Sequence, residues 1–148
     1  ILEPSAGTGR LIQALRATGE VMHIVAVEHN PKMAEMLRST FAYQAGELPQ
    51  AVEVIEADFL NLSSLGRFSA VLMNPPFENA QDIAHIRHAF EMLEEGGRLV
   101  ALCANGPRQR DQLLPMVEAC GGSWEDLPAD TFKDEGTRVN TALLLLRK

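Results

Sequence analysis

The sequence predicts an α/β fold in which βα units build a mostly parallel sheet, with helices on both faces. Three observations carry that expectation. Short apolar runs alternate with longer stretches of helical period. A glycine-rich turn, Ser5-Ala6-Gly7-Thr8-Gly9, separates the first run from the first helix. The 148 residues are 46% hydrophobic and 22% charged, an ordinary globular balance. Length fits one domain, and no linker, repeat or low-complexity tract interrupts it, so residues 1–148 are expected to form a single domain.

Six to seven strands are legible. The chain opens on Ile1-Leu2-Glu3, which reads as the tail of a strand, so a truncated N-terminus lacking the start of strand one is expected. After the turn a helix runs from about Arg10 to Thr18 and stops at Gly19. The second strand covers Met22 to Val27. Asn30-Pro31 is a cap followed by proline at the first helical position, and Met33, Met36 and Leu37 give that helix its apolar stripe. Gly46 and Pro49 break the chain before a third strand, Ala51 to Glu56. A fourth, Ala70 to Met73, follows a short loop or helical turn, and Asn74-Pro75-Pro76-Phe77 comes directly after it. The next helix is predicted from about Asn79 to Glu95, with Ile83, Ile86, Phe90 and Leu93 on one buried face and Gly96-Gly97 to end it. A fifth strand, Arg98 to Ala104, leads to a helix from about Gln109 to Ala119 that carries Pro115. A weaker strand near Ser123 to Leu127 and a strong one from Arg138 to Leu146 finish the pattern.

Composition narrows the function. No apolar stretch approaches the roughly 20 residues of a membrane helix, and Cys103 and Cys120 form no Cys-x-x-Cys pair, so a soluble protein of the reducing cytoplasm is expected. A net charge of −7 argues against unaided tight binding to a polyanion, whose affinity comes mainly from Lys and Arg.

Chemistry concentrates in three places. Glycines 7 and 9 let the backbone approach a ligand, and the helix behind them offers unpaired N–H groups. Glu28, 19 residues beyond Gly9, is placed to accept hydrogen bonds from the two hydroxyls of a ribose. A dinucleotide would need a third glycine where Ile12 stands, and Glu3 would repel a pyrophosphate while welcoming a cation. Those two features favour S-adenosylmethionine, which has a ribose, an adenine, an amino group and a sulfonium, and no phosphate. Asp58-Phe59 closes strand three, where a carboxylate can accept from an adenine amino group, the Phe59 N–H can donate to a ring nitrogen and the Phe59 ring can cover an adenine face.

Asn74-Pro75-Pro76-Phe77 is the most informative stretch. Two prolines fix φ and hold the preceding residues extended, so the Asn74 side chain and the Pro75 carbonyl present two acceptors to one spot. A conjugated NH2 is a poor nucleophile because its lone pair is delocalised; two accepted hydrogen bonds would draw its nitrogen towards sp3 geometry. Phe77 would stack on a planar substrate, compensating for stacking that a flipped base loses.

With these residues the chain resembles the class I S-adenosylmethionine-dependent methyltransferases that act on planar amino groups, through Leu2-Glu-Pro-Ser-Ala-Gly-Thr-Gly9, Glu28, Ala57-Asp58-Phe59 and Asn74-Pro-Pro-Phe77. The segments from Asn74 to Ala89 and from Phe132 to Thr141 look more particularly like small methyltransferases of phages and plasmids. The resemblance implies a Rossmann-like, doubly wound, seven-stranded sheet in the order 3-2-1-4-5-7-6 with the last strand antiparallel. It implies cofactor contacts at Glu3, Pro4, Ser5, Ala6, Gly7, Gly9, Glu28, Asp58, Phe59 and Asn74. Catalytic and substrate contacts are implied at Asn74, Pro75, Pro76 and Phe77. Methyl transfer to an exocyclic amino nitrogen of a nucleic acid, adenine N6 in DNA first, is the expected activity, with S-adenosylhomocysteine as product. Guanine N2 in RNA and glutamine N5 in protein are the alternatives, followed by a non-catalytic scaffold that keeps the cofactor fold, and by a nicotinamide-dependent oxidoreductase. Residues 1–148 are expected to lack the helix that usually precedes strand one and a target-recognition domain after the motif, so site choice is expected from loops, from residues upstream or from a partner.

Two further groups are weighed. Asp82, His85, His88 and Glu91 recur every three residues, but such a row drifts by about 180° over nine residues, so they cannot converge on one metal; a solvated face is expected, or contact by Asp82 or His85 near the substrate mouth. Arg108 and Arg110 follow strand five and could meet a substrate phosphate or serve a helix start.

Overall fold

A strand buried on both faces alternates its side chains between two cores, and β2 (Ile24–Glu28) does so: Val25 and Val27 join one apolar cluster, Ile24 and Ala26 the other. The computed structural model describes residues 1–20, 22–42, 51–63, 65–129, 131–132 and 139–148. Around β2 stand β1 (Leu2–Glu3), α1 (Arg10–Ala17), α2 (Pro31–Thr40), β3 (Val52–Glu56), β4 (Phe68–Met73), α3 (Gln81–Glu91), β5 (Leu93–Ala104), α4 (Pro107–Ala119), β6 (Ser123–Asp126) and β7 (Thr141–Arg147). Short 3₁₀ turns at Phe59–Asn61 and Glu78–Ala80 precede β4 and α3.

All seven strands form one sheet in the order β3-β2-β1-β4-β5-β7-β6. The neighbours from β3 to β5 pair parallel, and β7 pairs antiparallel with both β5 and β6. This Rossmann-like order matches the expectation. Helices α1 and α2 cover one face through Ile12, Ala34, Leu37 and Phe41; α3 and α4 cover the other through Ile83, Ile86, Ala89, Leu113 and Val117. The winding reverses between β1 and β4, so the loops leaving these two strands part to opposite faces and open a crevice at their carboxyl ends. Among the described residues, no helix is long and apolar enough to cross a membrane.

Local chemistry explains the element ends. Asn30 caps α2 by accepting from the N–H groups of Lys32 (3.0 Å) and Met33 (3.3 Å), with Pro31 in the first turn. Gly9, at the N-terminus of α1, has φ +77°, and a Cβ there would lie 2.6 Å from Phe41 Cε2 and 2.7 Å from Leu37 Cδ2. The turn is thereby packed against α2. Gly9→Ala combines left-handed backbone strain with overpacking and should cost about 2–4 kcal/mol in a denaturant titration; a midpoint equal to that of the unsubstituted protein would refute this packing.

Several boundaries differ from the expectation. The helix predicted from Asn79 to Glu95 ends at Glu91, and Gly96 and Gly97 lie inside β5. Leu93, fully buried, already pairs with Phe68, and the register then jumps to Ala70 opposite Arg98, a bulge that absorbs both glycines. Gly96 N–H donates to Lys148 O and Lys148 N–H to Gly97 O, a partnership at the far C-terminal end of β7 that local punctuation does not reveal. Met33 and Met36 are exposed, and Ala34 with Leu37 makes the buried stripe of α2. β2 starts at Ile24 rather than Met22, β4 at Phe68 rather than Ala70, and α4 passes through Pro115. The predicted break at Gly46 and Pro49, Arg138 as the start of the last strand, and positions 133–137 of the segment from Phe132 to Thr141 lie outside the described residues.

Candidate active site

The crevice holds a cavity of about 760 Å3. The turn after β1 and the start of α1 form one wall, with Glu3, Ser5, Ala6, Gly7, Thr8, Arg10 and Leu11; the loop after β4 forms the other, with Asn74, Pro75, Pro76 and Phe77. Leu102 of β5 and Phe132 complete the lining. Two motifs separated by about 70 residues of sequence thus meet because β1 and β4 are sheet neighbours. Pro4 and Gly9 are buried and shape the turn from behind.

Glu3 carries the strongest electrostatic anomaly. Its side chain is 2% exposed, and its Oε2 has no hydrogen-bond partner among the described residues. Burial raises its pKa to about 8; the Ile12 backbone N–H, hydrogen-bonded to it, opposes the rise, and the Glu28 carboxylate adds to it. A buried carboxyl oxygen left without a partner in a cavity wall is complementary to a cationic or donor-rich ligand.

Glu28 is buried, with Oε2 accepting from Gly7 N–H at 2.8 Å and Oε1 from Asn30 N–H at 2.8 Å. It therefore ties the end of β2 to the glycine turn, and each oxygen keeps a second lone pair. Asp58 caps the 3₁₀ turn by accepting from Leu60 N–H (3.0 Å) and Asn61 Nδ2 (3.1 Å). Glu28, Asp58 and Phe59 stand outside the cavity lining. The Phe59 ring is 2% exposed and packs on His85 and His88, with ring centroids 5.6 and 4.8 Å away. Burial of an aromatic surface in the sheet core outweighs its exposure at the edge.

Asn74 is exposed at the cavity wall, with no hydrogen-bond partner among the described residues; Pro75 is buried and Phe77 half-buried. The loop thus offers acceptors and an aromatic ring to the same space.

Of the polar row on α3, Glu91 is exposed and His88 half-buried, while Asp82 and His85 lie inside. Asp82 is wholly buried; its Oδ2 accepts from Ala104 N–H (2.9 Å) and both oxygens receive Gln109 Nε2 (3.1 and 3.2 Å). His85, 6% exposed, places Nδ1 3.3 Å from Ser5 Oγ, and His88 Nε2 lies 2.8 Å from Leu62 O. Burial lowers the His85 pKa, against the pull of the Asp58 carboxylate. Neither Asp82 nor His85 lines the cavity. Arg110 binds Asp126 at 2.6 Å and stacks over Trp124, while Arg108 is exposed. Among the described residues no group of three or more His, Cys, Asp or Glu could hold a metal ion.

Sequence reasoning missed Arg10, Leu11, Thr8 and Leu102 as cavity residues. The first three follow directly from a helix that starts at position 10 with its opening turn on the crevice; Leu102 depends on the β4–β5 register, which no local pattern reveals.

The profile of the methyltransferase small domain family matches residues 1–121. No curated protein matches the chain. Among solved structures it is similar to a provisionally assigned RNA methyltransferase of Pyrococcus horikoshii, with TM-score 0.74 and 19% identity over 99% of this chain and 73% of that one. A provisionally assigned O-methyltransferase of Agrobacterium tumefaciens gives TM-score 0.70 and 23% identity over 99% and 72%. The glycopeptide N-methyltransferase MtfA, complexed with sinefungin, gives 0.66 and 14% over 97% and 78%. At these identities the likeness is one of fold.

Proposed function

The chain belongs to the methyltransferase small domain family, and from that premise we propose that it moves a methyl group from S-adenosylmethionine to a planar amino nitrogen of a nucleic acid, adenine N6 in DNA first. One observation carries the reading: a buried Glu3 whose Oε2 has no partner among the described residues and the acceptors of Asn74-Pro75 line the same cavity. The residues fit the donor. Glu3 has an open lone pair for its amino group and becomes charged when an ammonium lies beside it, the backbone of Ser5 to Gly7 allows close approach, and Glu28 at the end of β2, with a free lone pair on each oxygen, and Asp58 just beyond β3 are the acceptors offered to its ribose and adenine. The donor supplies a methyl group on an already electrophilic sulfonium.

The chain's own contribution is placement. Asn74 Oδ1 and Pro75 O accept the two N–H groups of the target and aim its lone pair, and Phe77 stacks on its plane. No general base is required before attack, because the methylated ammonium is itself acidic. Catalysis here is proximity and fixed dipoles.

A net charge of −7 assigns much of the phosphate binding to a recognition segment or subunit beyond these residues. Incubating the protein with labelled S-adenosylmethionine and separate DNA, RNA and protein pools tests the substrate. Label in DNA at adenine N6 is the expected result. Label at guanine N2 in RNA, or at glutamine N5 in protein, would move the same NH2 chemistry to another target.

A further inference from the structure

Asp82, His85 and His88 of α3 take no part in the chemistry above, yet they touch the segments that follow β1, β3 and β5. Asp82 holds the end of β5 and the start of α4 through Ala104 N–H and Gln109. His88 reaches Leu62 O beyond the 3₁₀ turn, and Phe59 at the start of that turn packs on both histidines. His85 reaches Ser5 Oγ in the turn after β1, 80 residues away in sequence. Only Ser5, of these partners, lines the cavity.

We propose that His85 is a positioning residue for the donor site: its Nδ1 fixes the rotamer and hydrogen-bonding sense of Ser5 Oγ, with Asp82 anchoring the helix that carries it. The inference rests on the donor reading above. A serine hydroxyl rotates freely and can donate or accept. Pinned by an imidazole on one side, it presents a fixed atom to the other side, where the cavity and Glu3 lie. Burial lowers the His85 pKa and favours the neutral imidazole, in which Nδ1 is either acceptor or donor towards Ser5 Oγ according to the tautomer. Ser5 then presents the complementary atom to the ligand. The Phe59 ring at 5.6 Å limits rotation of the imidazole, and the hydrogen bonds that Asp82 receives from Ala104 N–H and Gln109 Nε2 hold α3 at its N-terminal end. Pre-organisation of this kind acts on ligand affinity, because the ordering is complete before binding.

Calorimetric titration with S-adenosylhomocysteine tests the proposal on Ser5→Ala, His85→Phe, the double variant and His85→Asn. His85→Phe keeps a ring against Phe59 without Nδ1, and His85→Asn restores a polar atom near the Nδ1 position. Loss of one hydrogen bond predicts a three- to tenfold weaker affinity in Ser5→Ala and in His85→Phe. The double variant should be no weaker than the weaker single one, and His85→Asn should bind within about twofold of the unsubstituted protein. Circular dichroism melts accompany each variant, and His85→Leu replaces His85→Phe should the latter not fold. Additive losses in the double variant, or His85→Asn as weak as His85→Phe, overturn the inference. Failure of the unsubstituted protein to bind S-adenosylhomocysteine overturns the donor reading and this inference together.

Discussion

Asn74→Ala lowers the rate of methyl transfer about 10²- to 10³-fold, and changes the affinity for S-adenosylhomocysteine far less. The magnitude is that of removing one placed hydrogen-bonding group aimed at developing charge. Asn74 is exposed on the cavity wall opposite the glycine turn, so truncation opens no core cavity and the fold should stay intact. What it removes is one of two acceptors that orient the target NH2. Asn74→Asp separates orientation from bulk: it keeps an acceptor oxygen and adds negative charge beside a nitrogen that becomes cationic, so it should lose much less activity than alanine. The comparison is read by single-turnover transfer with the substrate pool that accepts label, together with calorimetry. Equal activity of Asn74→Ala and the unsubstituted protein would remove the loop from the mechanism.

The second large effect belongs to Glu3. In the free protein its carboxyl, raised to about 8 by burial, is protonated at pH 7. An ammonium delivered beside it restores a partner for the charged form, so ligand binding should drive its ionisation and release close to one proton. Titrations with S-adenosylhomocysteine in phosphate and in Tris then give different apparent enthalpies, and Glu3→Gln abolishes the difference while weakening binding. The same shift sets a stability profile. Between the ordinary carboxyl value of 4.5 and about 8 the unfolded chain has lost this proton and the native protein has kept it. Stability therefore falls as pH rises through that window and levels off above it. The full span, from 4.5 to about 8, is on the order of 5 kcal/mol, and Glu3→Gln should flatten it. Identical binding enthalpies in the two buffers would exclude the protonated Glu3.

What the sequence made legible was whatever depends on near neighbours. Asn30-Pro31 announces its helix because cap and proline act on adjacent N–H groups, and Gly19 ends α1 with the left-handed backbone its position requires (φ +75°). The glycine turn and the Asn74 loop were recognisable because both are short backbone devices. Their meeting in one cavity needed only the β1–β4 pairing that the resemblance supplied. The burial of Asp82 and His85 was not legible. A charged or polar side chain goes inside only when partners await it, and here these come from Ala104, Gln109 and Ser5. Gly96-Gly97 misled for a related reason, since the same dipeptide that stops a helix also fits a bulge, and the deciding partner was Lys148. In α2, counting methionines as core overlooked that small Ala34 sits closer to the sheet.

Asn79 and Ala80 both have positive φ, at 54° and 57°, between the Asn74 loop and α3. For alanine this backbone costs roughly 1–2 kcal/mol, and it persists only where both flanks are held. Met73 is held by its ladder with β5 and Asp82 by its interior hydrogen bonds. The stretch between them is a span clamped at both abutments, so its residue count is as fixed as its chemistry: a single inserted residue would have to unseat one clamp, while substitutions at its exposed positions leave both untouched.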